Sequence, residues 1–346
     1  MRKLYGMVVF LAVLYGALMF SDPGARSAYN HANLERRIGL YGIISLGAGV
    51  LIISGGIDLS IGAVVGLSAT LFAMFLTGFT WPPPLDRYLD RYIPAFQLSP
   101  ALAIPAVLLI GAAIGLLNGL LVTRMRLQAF IVTLCGLFVY RGLARWLAVD
   151  QVRGLQQRFG GLKWALADNN DAWGLLRPLV GTGSFGVPVS LVILLLLSAL
   201  VAVFLHFSVY GRYLYAIGSN EQAARYSGIA VGRYKVLAYV LCSTLAALFG
   251  ILFVLDQNSV QPSETGSFFE LYAITAAVLG GCSLRGGEGT VPGILIGTAI
   301  LWILPNFTRM WGVPSQLEFT VVGTALLIGA LLDEFLRPKS ATRLAG

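Results

Sequence analysis

Charge is scarce in this chain. Only 12% of its 346 residues are Asp, Glu, Lys or Arg, where a soluble domain carries about a quarter. Histidine is rarer still: His31 and His206 stand alone and far apart in sequence, which argues against a catalytic metal centre. The three cysteines, Cys135, Cys242 and Cys282, fall in apolar segments at unrelated spacings. They read as small buried hydrophobes, and they offer neither a disulfide framework nor a metal site. No Ser–His–Asp set, no pair of buried acids and no phosphate-cradling Walker loop is evident. The parts for catalysis and for ATP hydrolysis are missing, so energy for any work must come from an ion gradient or from another protein.

What is abundant is apolar. Hydrophobic residues make up 57% of the chain and the mean hydropathy is +0.79. Apolar windows fall at 5–20, 38–54, 59–79, 101–123, 128–149, 188–209, 233–255, 269–284, 290–307 and 315–334. Each approaches the length needed to cross a hydrocarbon core of about 30 Å. The reading is an all-α polytopic membrane protein with about ten spans, one membrane domain filling residues 1–346. The start, MRKLYGMVVFLAVLYGALMF, has the basic residues of a signal peptide but too long an apolar run, so it reads as an uncleaved first span.

An even number of spans puts both termini on one side. If that side is inside, the short inner segments hold Arg2, Lys3, Arg124, Arg126, Arg212, Arg225, Arg233, Lys235, Arg285, Arg337, Lys339 and Arg343. The short outer loops hold Arg26, Arg36, Arg37, Arg87, Arg91 and Arg309. Twelve against six is the direction of the positive-inside rule. The net charge of +8 therefore reports orientation and gives no argument for a nucleic-acid partner. Residues 150–187 form the longest outer loop, with Trp164 and Trp173 suited either to a helix lying on the lipid or to a solvated connection.

Polar residues interrupt the apolar pattern in two places. "SGGIDLSIG", 54–62, sets Gly55, Gly56, Asp58 and Ser60 between the second and third windows. "GGCSLRGGEGT", 280–290, does the same with Gly280, Gly281, Ser283 and Glu288. Both begin Gly-Gly-x-x-Leu, and paired interruptions in two halves point to a transport pathway. Both also fit short turns on the inner side, with Asp58 capping the third span. Asn118, Glu270, Asn306 and Glu318 complete the polar set within the windows, Glu270 falling where a helix begins.

The longest inner loop is 211–235, "GRYLYAIGSNEQAARYSGIAVGRYK". Ser219 or Asn220 can cap a short helix there, Glu221 suits its first turn, and Gly228 stops it. Two turns are too few to stand alone in water, so such a helix must be held by packing.

Within this loop, "QAARYSG" is similar to the Glu-Ala-Ala-x-x-x-Gly signature of ABC importer permeases, with Gln222 in place of the leading Glu. The whole loop resembles that of the monosaccharide (ribose/xylose/galactose-type) permeases. So do "GGIDLSIG" (55–62), "LNGLLVTRMRLQAFIVTLCGLFVYRGLA" (117–144), "GTGSFGVPV" (181–189) and "ELYAITAAVLGGCSLRGGEGTVPGILIG" (270–297), in the same order. Departures are Ala129, where that family usually has proline, Asp256 and Gln257 where an arginine is frequent, Tyr272 for a common aspartate, and Glu288.

The resemblance implies a type II, B12-importer-like architecture in a bacterial cytoplasmic (inner) membrane, with both termini cytoplasmic. It implies a second permease subunit, identical or similar, and a cytoplasmic ABC ATPase that binds the ATP and Mg. A periplasmic binding protein would deliver a monosaccharide or similar polyhydroxylated solute. The chain itself would bind no cofactor or metal, and lipid would surround it. Ser219, Asn220, Glu221, Gln222, Ala223, Ala224, Arg225, Ser227 and Gly228 would then engage the ATPase. Gly55, Gly56, Asp58, Ser60, Asn118, Glu270, Gly280, Gly281 and Ser283 are the pathway or gating candidates. The alternative is an ion-coupled secondary carrier, which predicts ionisable groups deep in the membrane.

Overall fold

The computed structural model describes residues 2–21, 23–89, 96–149, 153–154 and 186–312, with isolated positions 176, 179, 181, 314, 317, 320, 321, 323, 324 and 327. It is almost entirely helical: α1 (Arg2–Ser21), α2 (Ala28–Ile53), α3 (Ile61–Thr77), the single turn α4 (Asp86–Leu89), α5 (Pro100–Thr123), α6 (Ala129–Leu147), α7 (Val189–Phe207), α8 (Val209–Ser219), α9 (Glu221–Tyr226), α10 (Val231–Gln257), α11 (Phe269–Leu279) and α12 (Val291–Met310). Two-residue strands β1 (Arg153–Gly154) and β2 (Ser259–Val260) pair antiparallel. Among the described residues six helices, α2, α5, α6, α7, α10 and α12, are long and apolar enough to span a bilayer. Leu4–Phe20, α3 and α11 are apolar but shorter. The expected last span, 315–334, and most of the loop 150–187 lie outside the described residues.

α2 runs ten residues further toward its start than the apolar window at 38 suggested. Ser27 supplies the reason: its hydroxyl accepts the Asn30 amide, capping a helix whose first turns, AYNHANLERR, are polar. Arg36 and Arg37 therefore lie on this helix and not in a loop. Arg36 pairs with Asp256 at the far end of α10, 3.0 Å away, and Arg37 lies 5.4 Å over the Trp302 ring. One departure from the family pattern, Asp256, thus has a partner.

α10 is the central post, packed against α2, α3 and α5. α5 approaches it along Gly111, Gly115 and Gly119, one small residue per turn. A Cβ at Gly115 would sit 2.5 Å from the Tyr239 carbonyl oxygen. In lipid, where burial of apolar surface does not drive helices together, such close backbone approach supplies the association. α3 is buried on every side, and α2 nearly so beyond its first three turns. α6 and α7 form the rim, exposing Phe138, Val139, Leu195, Leu196 and Leu200, as a lipid-facing surface does.

Candidate functional site

The two interruptions are helix stops of one kind. After α2, Gly55 takes φ +76°; its amide donates to Ile52 O and the Gly56 amide to Leu51 O. After α11, Gly281 takes φ +86°, with its amide on Val278 O and the Cys282 amide on Ala277 O. Both are Schellman stops, in which a left-handed residue turns two amides back onto the last carbonyls. Gly55 therefore corresponds to Gly281, one residue out of step with the Gly-Gly-x-x-Leu match. In the second stop Gly280 is the last right-handed residue, packed on the Gly293 backbone.

The segment 54–60 does more than turn at the edge. α3, at 17 residues, is about 25 Å long, short of the roughly 30 Å core. The non-helical stretch before it packs against the third turn of α10, where Tyr239 Oη donates to Ile57 O at 3.2 Å. Irregular backbone persists at membrane depth only when protein surrounds it, and here Asp58 and Ser60 are 1% and 0% exposed.

Asp58 is not the cap of α3. The cap position is Ser60, whose side chain makes no capping bond. Asp58 Oδ1 instead accepts the Ser60 amide at 2.7 Å and the Ser60 hydroxyl at 2.6 Å, closing a turn one step outside the helix. Asn118 on α5 donates to that hydroxyl at 3.1 Å, and Tyr140 on α6 donates to Asn118 Oδ1 at 2.8 Å. Three elements are thus joined by a buried chain of bonds whose donors all run toward Asp58. Asp58 Oδ2 has no hydrogen-bond partner among the described residues.

Glu270 is a helix-start residue, in the first turn of α11, but it lies inside the protein at 7% exposure. α11 has only 11 residues, about 16 Å, so its positive end lies within the bundle. Gly62 leaves room for the carboxylate: a Cβ there would overlap Glu270 Oε2, an oxygen with no hydrogen-bond partner among the described residues. Close by, Arg141 Nη1 donates to Thr265 O at 2.7 Å and to Ser263 O at 3.4 Å. Among the described residues two acids, Asp58 and Glu270, are thus buried. Glu270 makes no hydrogen bond to the Asp58 chain among the described residues.

In the expected inner loop 211–235, helix α8 occupies residues up to Ser219 and α10 begins at Val231, neither of them anticipated there, while the short helix forms between them as α9. Asn220, and not Ser219, caps α9, its Oδ1 accepting the Ala223 amide at 2.9 Å; Ser219 Oγ donates back to Tyr215 O. Gly228 takes φ +81°, with its amide on Arg225 O and the Ile229 amide on Ala224 O, a third Schellman stop. Ala224 is buried against Ile217 and Val231, anchoring the helix. Gln222, Ala223, Arg225, Ser227 and Gly228 are exposed. Glu221 pairs with Arg225 and with Lys235. The hydrogen bond from Lys235 leads the effects that hold its carboxyl below the usual glutamate range, with Arg225 adding to them. Tyr226, 89% exposed, was not among the candidates read from the sequence, nor were Tyr140, Arg141 and Tyr239, and Lys235 was read only as an inner cation. An aromatic between two anchored residues was the available signal for Tyr226; the others depend on tertiary pairing.

The two interruptions and this loop meet. The Gly287 amide donates to Ile53 O at 2.9 Å, and Tyr215 Oη donates to Gly289 O at 2.8 Å. Ser283, buried, donates its amide to Glu288 O, while the Gly286 amide donates to Ser283 O.

Several apolar helices, two of them short and starting inside the bundle, define a multi-pass membrane permease. The chain belongs to the branched-chain amino acid transport system/permease component family, whose model matches residues 30–331. It is 36% identical to the ribose import permease protein RbsC of Bacillus subtilis, over 99% of this chain and 94% of that protein. It is 30% identical to the xylose transport system permease protein XylH of Escherichia coli, over 96% and 92%. The fructose import permease protein FrcC of Rhizobium meliloti is 28% identical over 96% and 84%. No solved structure shows a significant match.

Proposed function

We propose that this chain is the membrane-spanning subunit of an ATP-driven importer for a monosaccharide or similar polyhydroxylated solute. Two copies, or this chain and a similar one, enclose the pathway, in a type II arrangement of about ten spans each. A separate cytoplasmic ATPase binds ATP and Mg, and a periplasmic protein delivers the solute. The membrane is the bacterial inner membrane, with both termini and α9 on the cytoplasmic side.

The observation that carries this reading is α9: a two-turn helix anchored by one buried alanine, closed at both ends and presenting Gln222, Ala223, Arg225 and Tyr226 outward. Such a compact, anchored knob fits a groove on a partner. Rigid docking lets nucleotide-driven closure bias the permease between its two faces; a shift from 1:99 to 99:1 needs about 5.5 kcal/mol of differential binding. The family title names amino acids, but relatives spanning nearly the whole chain are named for ribose and xylose, which favours a sugar. Those relatives also speak against an ion-coupled carrier.

The test is purification from native membrane in mild detergent. A co-purifying ATPase whose hydrolysis rises with a sugar-loaded binding protein is the expected result. A chain that comes out alone under several gentle conditions, and transports only with an ion gradient, would overturn the reading.

A further inference from the structure

Four stretches of backbone touch where α8 ends: the close of α8 itself, the α2 stop, the turn 283–289 between α11 and α12, and the start of α9. Gly218 is at the centre. A Cβ there would overlap both the Ile53 carbonyl oxygen and the Gly287 amide nitrogen. Those two atoms are the partners of the 2.9 Å bond that joins the α2 stop to the second turn. A Cβ on Gly286 would lie 2.8 Å from both Gly218 O and Gly55 Cα, and one on Gly287 would overlap the Ser219 hydroxyl. Gly286 and Gly287 have φ of +87° and +77°, so their conformation as well as their surroundings excludes larger residues.

Here backbone presses on backbone with no side chain between. Side chains at an interface absorb displacement by changing rotamer, on the picosecond-to-nanosecond scale when exposed. A seam of peptide groups offers no such slack. The seam lies three residues before α9 and joins α9 to the end of α2 and the start of α12.

We propose that Gly218 is a positioning residue for transport: its contact with Ile53 and Gly287 transmits displacement of α9 to both interrupted helices at once. This rests on the importer reading, and the two can be separated. The experiment reconstitutes the permease with its ATPase and binding protein in liposomes. It measures solute moved per ATP hydrolysed for wild type, Gly218→Ala and Tyr215→Phe.

Gly218→Ala should retain ATPase binding through α9 while moving severalfold less solute per ATP. Hydrogen exchange on nucleotide binding should still change at 220–228, yet no longer at 54–57 and 286–289. Tyr215→Phe adds no atom and removes only the bond to Gly289 O, so it carries the test if Gly218→Ala does not fold; a smaller fall in the same ratio is expected. Unchanged solute per ATP in a folded Gly218→Ala complex overturns the junction and leaves the importer intact, as does an unchanged ratio in Tyr215→Phe where the first variant does not fold. Failure of the wild-type chain to bind any ATPase overturns both.

Discussion

Asp58, Ser60, Asn118 and Tyr140 show at the residue scale why polar groups persist in an apolar interior. The Ser60 hydroxyl and the Asn118 amide each donate and accept, so removing either strands its neighbours. Asn118→Ala leaves Tyr140 Oη and the Ser60 hydroxyl short of partners, and should cost about 1–3 kcal/mol, read as a fall in the melting temperature of the detergent-purified protein. Asp58→Asn keeps the shape and an acceptor for Ser60. It should leave the protein folded and lower transport, and normal transport would show that the carboxylate has no part in it. The Asp58 interruption was legible in the sequence as an anomaly, but its partners were not. They come from α5 and α6, 60 and 82 positions from Asp58 (118 − 58 and 140 − 58), and no local pattern announces such pairs.

Glu221 also acts locally. Lys235 and Arg225 hold its folded pKa below the usual 4.5, so its contribution to the loop is fully present above the unfolded value. It is lost as pH falls through the folded one. Amides 222–227 should exchange faster relative to the rest of the chain as pH drops below about 4.5, and Glu221→Gln should remove that pH dependence.

At the scale of elements, caps and stops explain most boundaries. Asn220→Ala deletes the only side-chain cap of α9 and should destabilise it by about 1 kcal/mol. Faster exchange confined to 221–228 is the expected readout, and a change spread over α10 would place the cap's influence elsewhere. The short helix was readable because its capping residue, first-turn acid and stopping glycine lie within nine residues. The Gly-Gly match between the interruptions was misleading by one step, because hydrogen bonding selects the residue that turns left-handed, and two adjacent glycines are equally able to do so. The extra three turns of α2 were hidden for a different reason. Apolar windows report burial, whereas the first part of α2 is polar and owes its helicity to Ser27.

For the whole molecule, the small residues of α5 decide how tightly the bundle closes on α10. Gly115→Leu would drive a side chain into the Tyr239 carbonyl. It should abolish recovery of folded protein, whereas the same exchange at Gly142, which has open space around it, should be tolerated. Comparing the monodisperse fractions of the two variants in detergent checks this. The reading that both ends lie in the cytoplasm makes a C-terminal tag reachable from that side only, and labelling it from outside intact cells would reverse the topology.

α11 has a consequence for how the protein is made. An 11-residue helix, apolar but for the glutamate in its first turn, is too short to cross the bilayer by its own hydrophobicity. It packs against both α2 and α12, so it should enter by slotting against neighbouring helices of the bundle. Seating of α11 should therefore depend on its neighbours, and a nascent chain released just after residue 290, which keeps α2 but lacks α12, should hold α11 less firmly than the full chain.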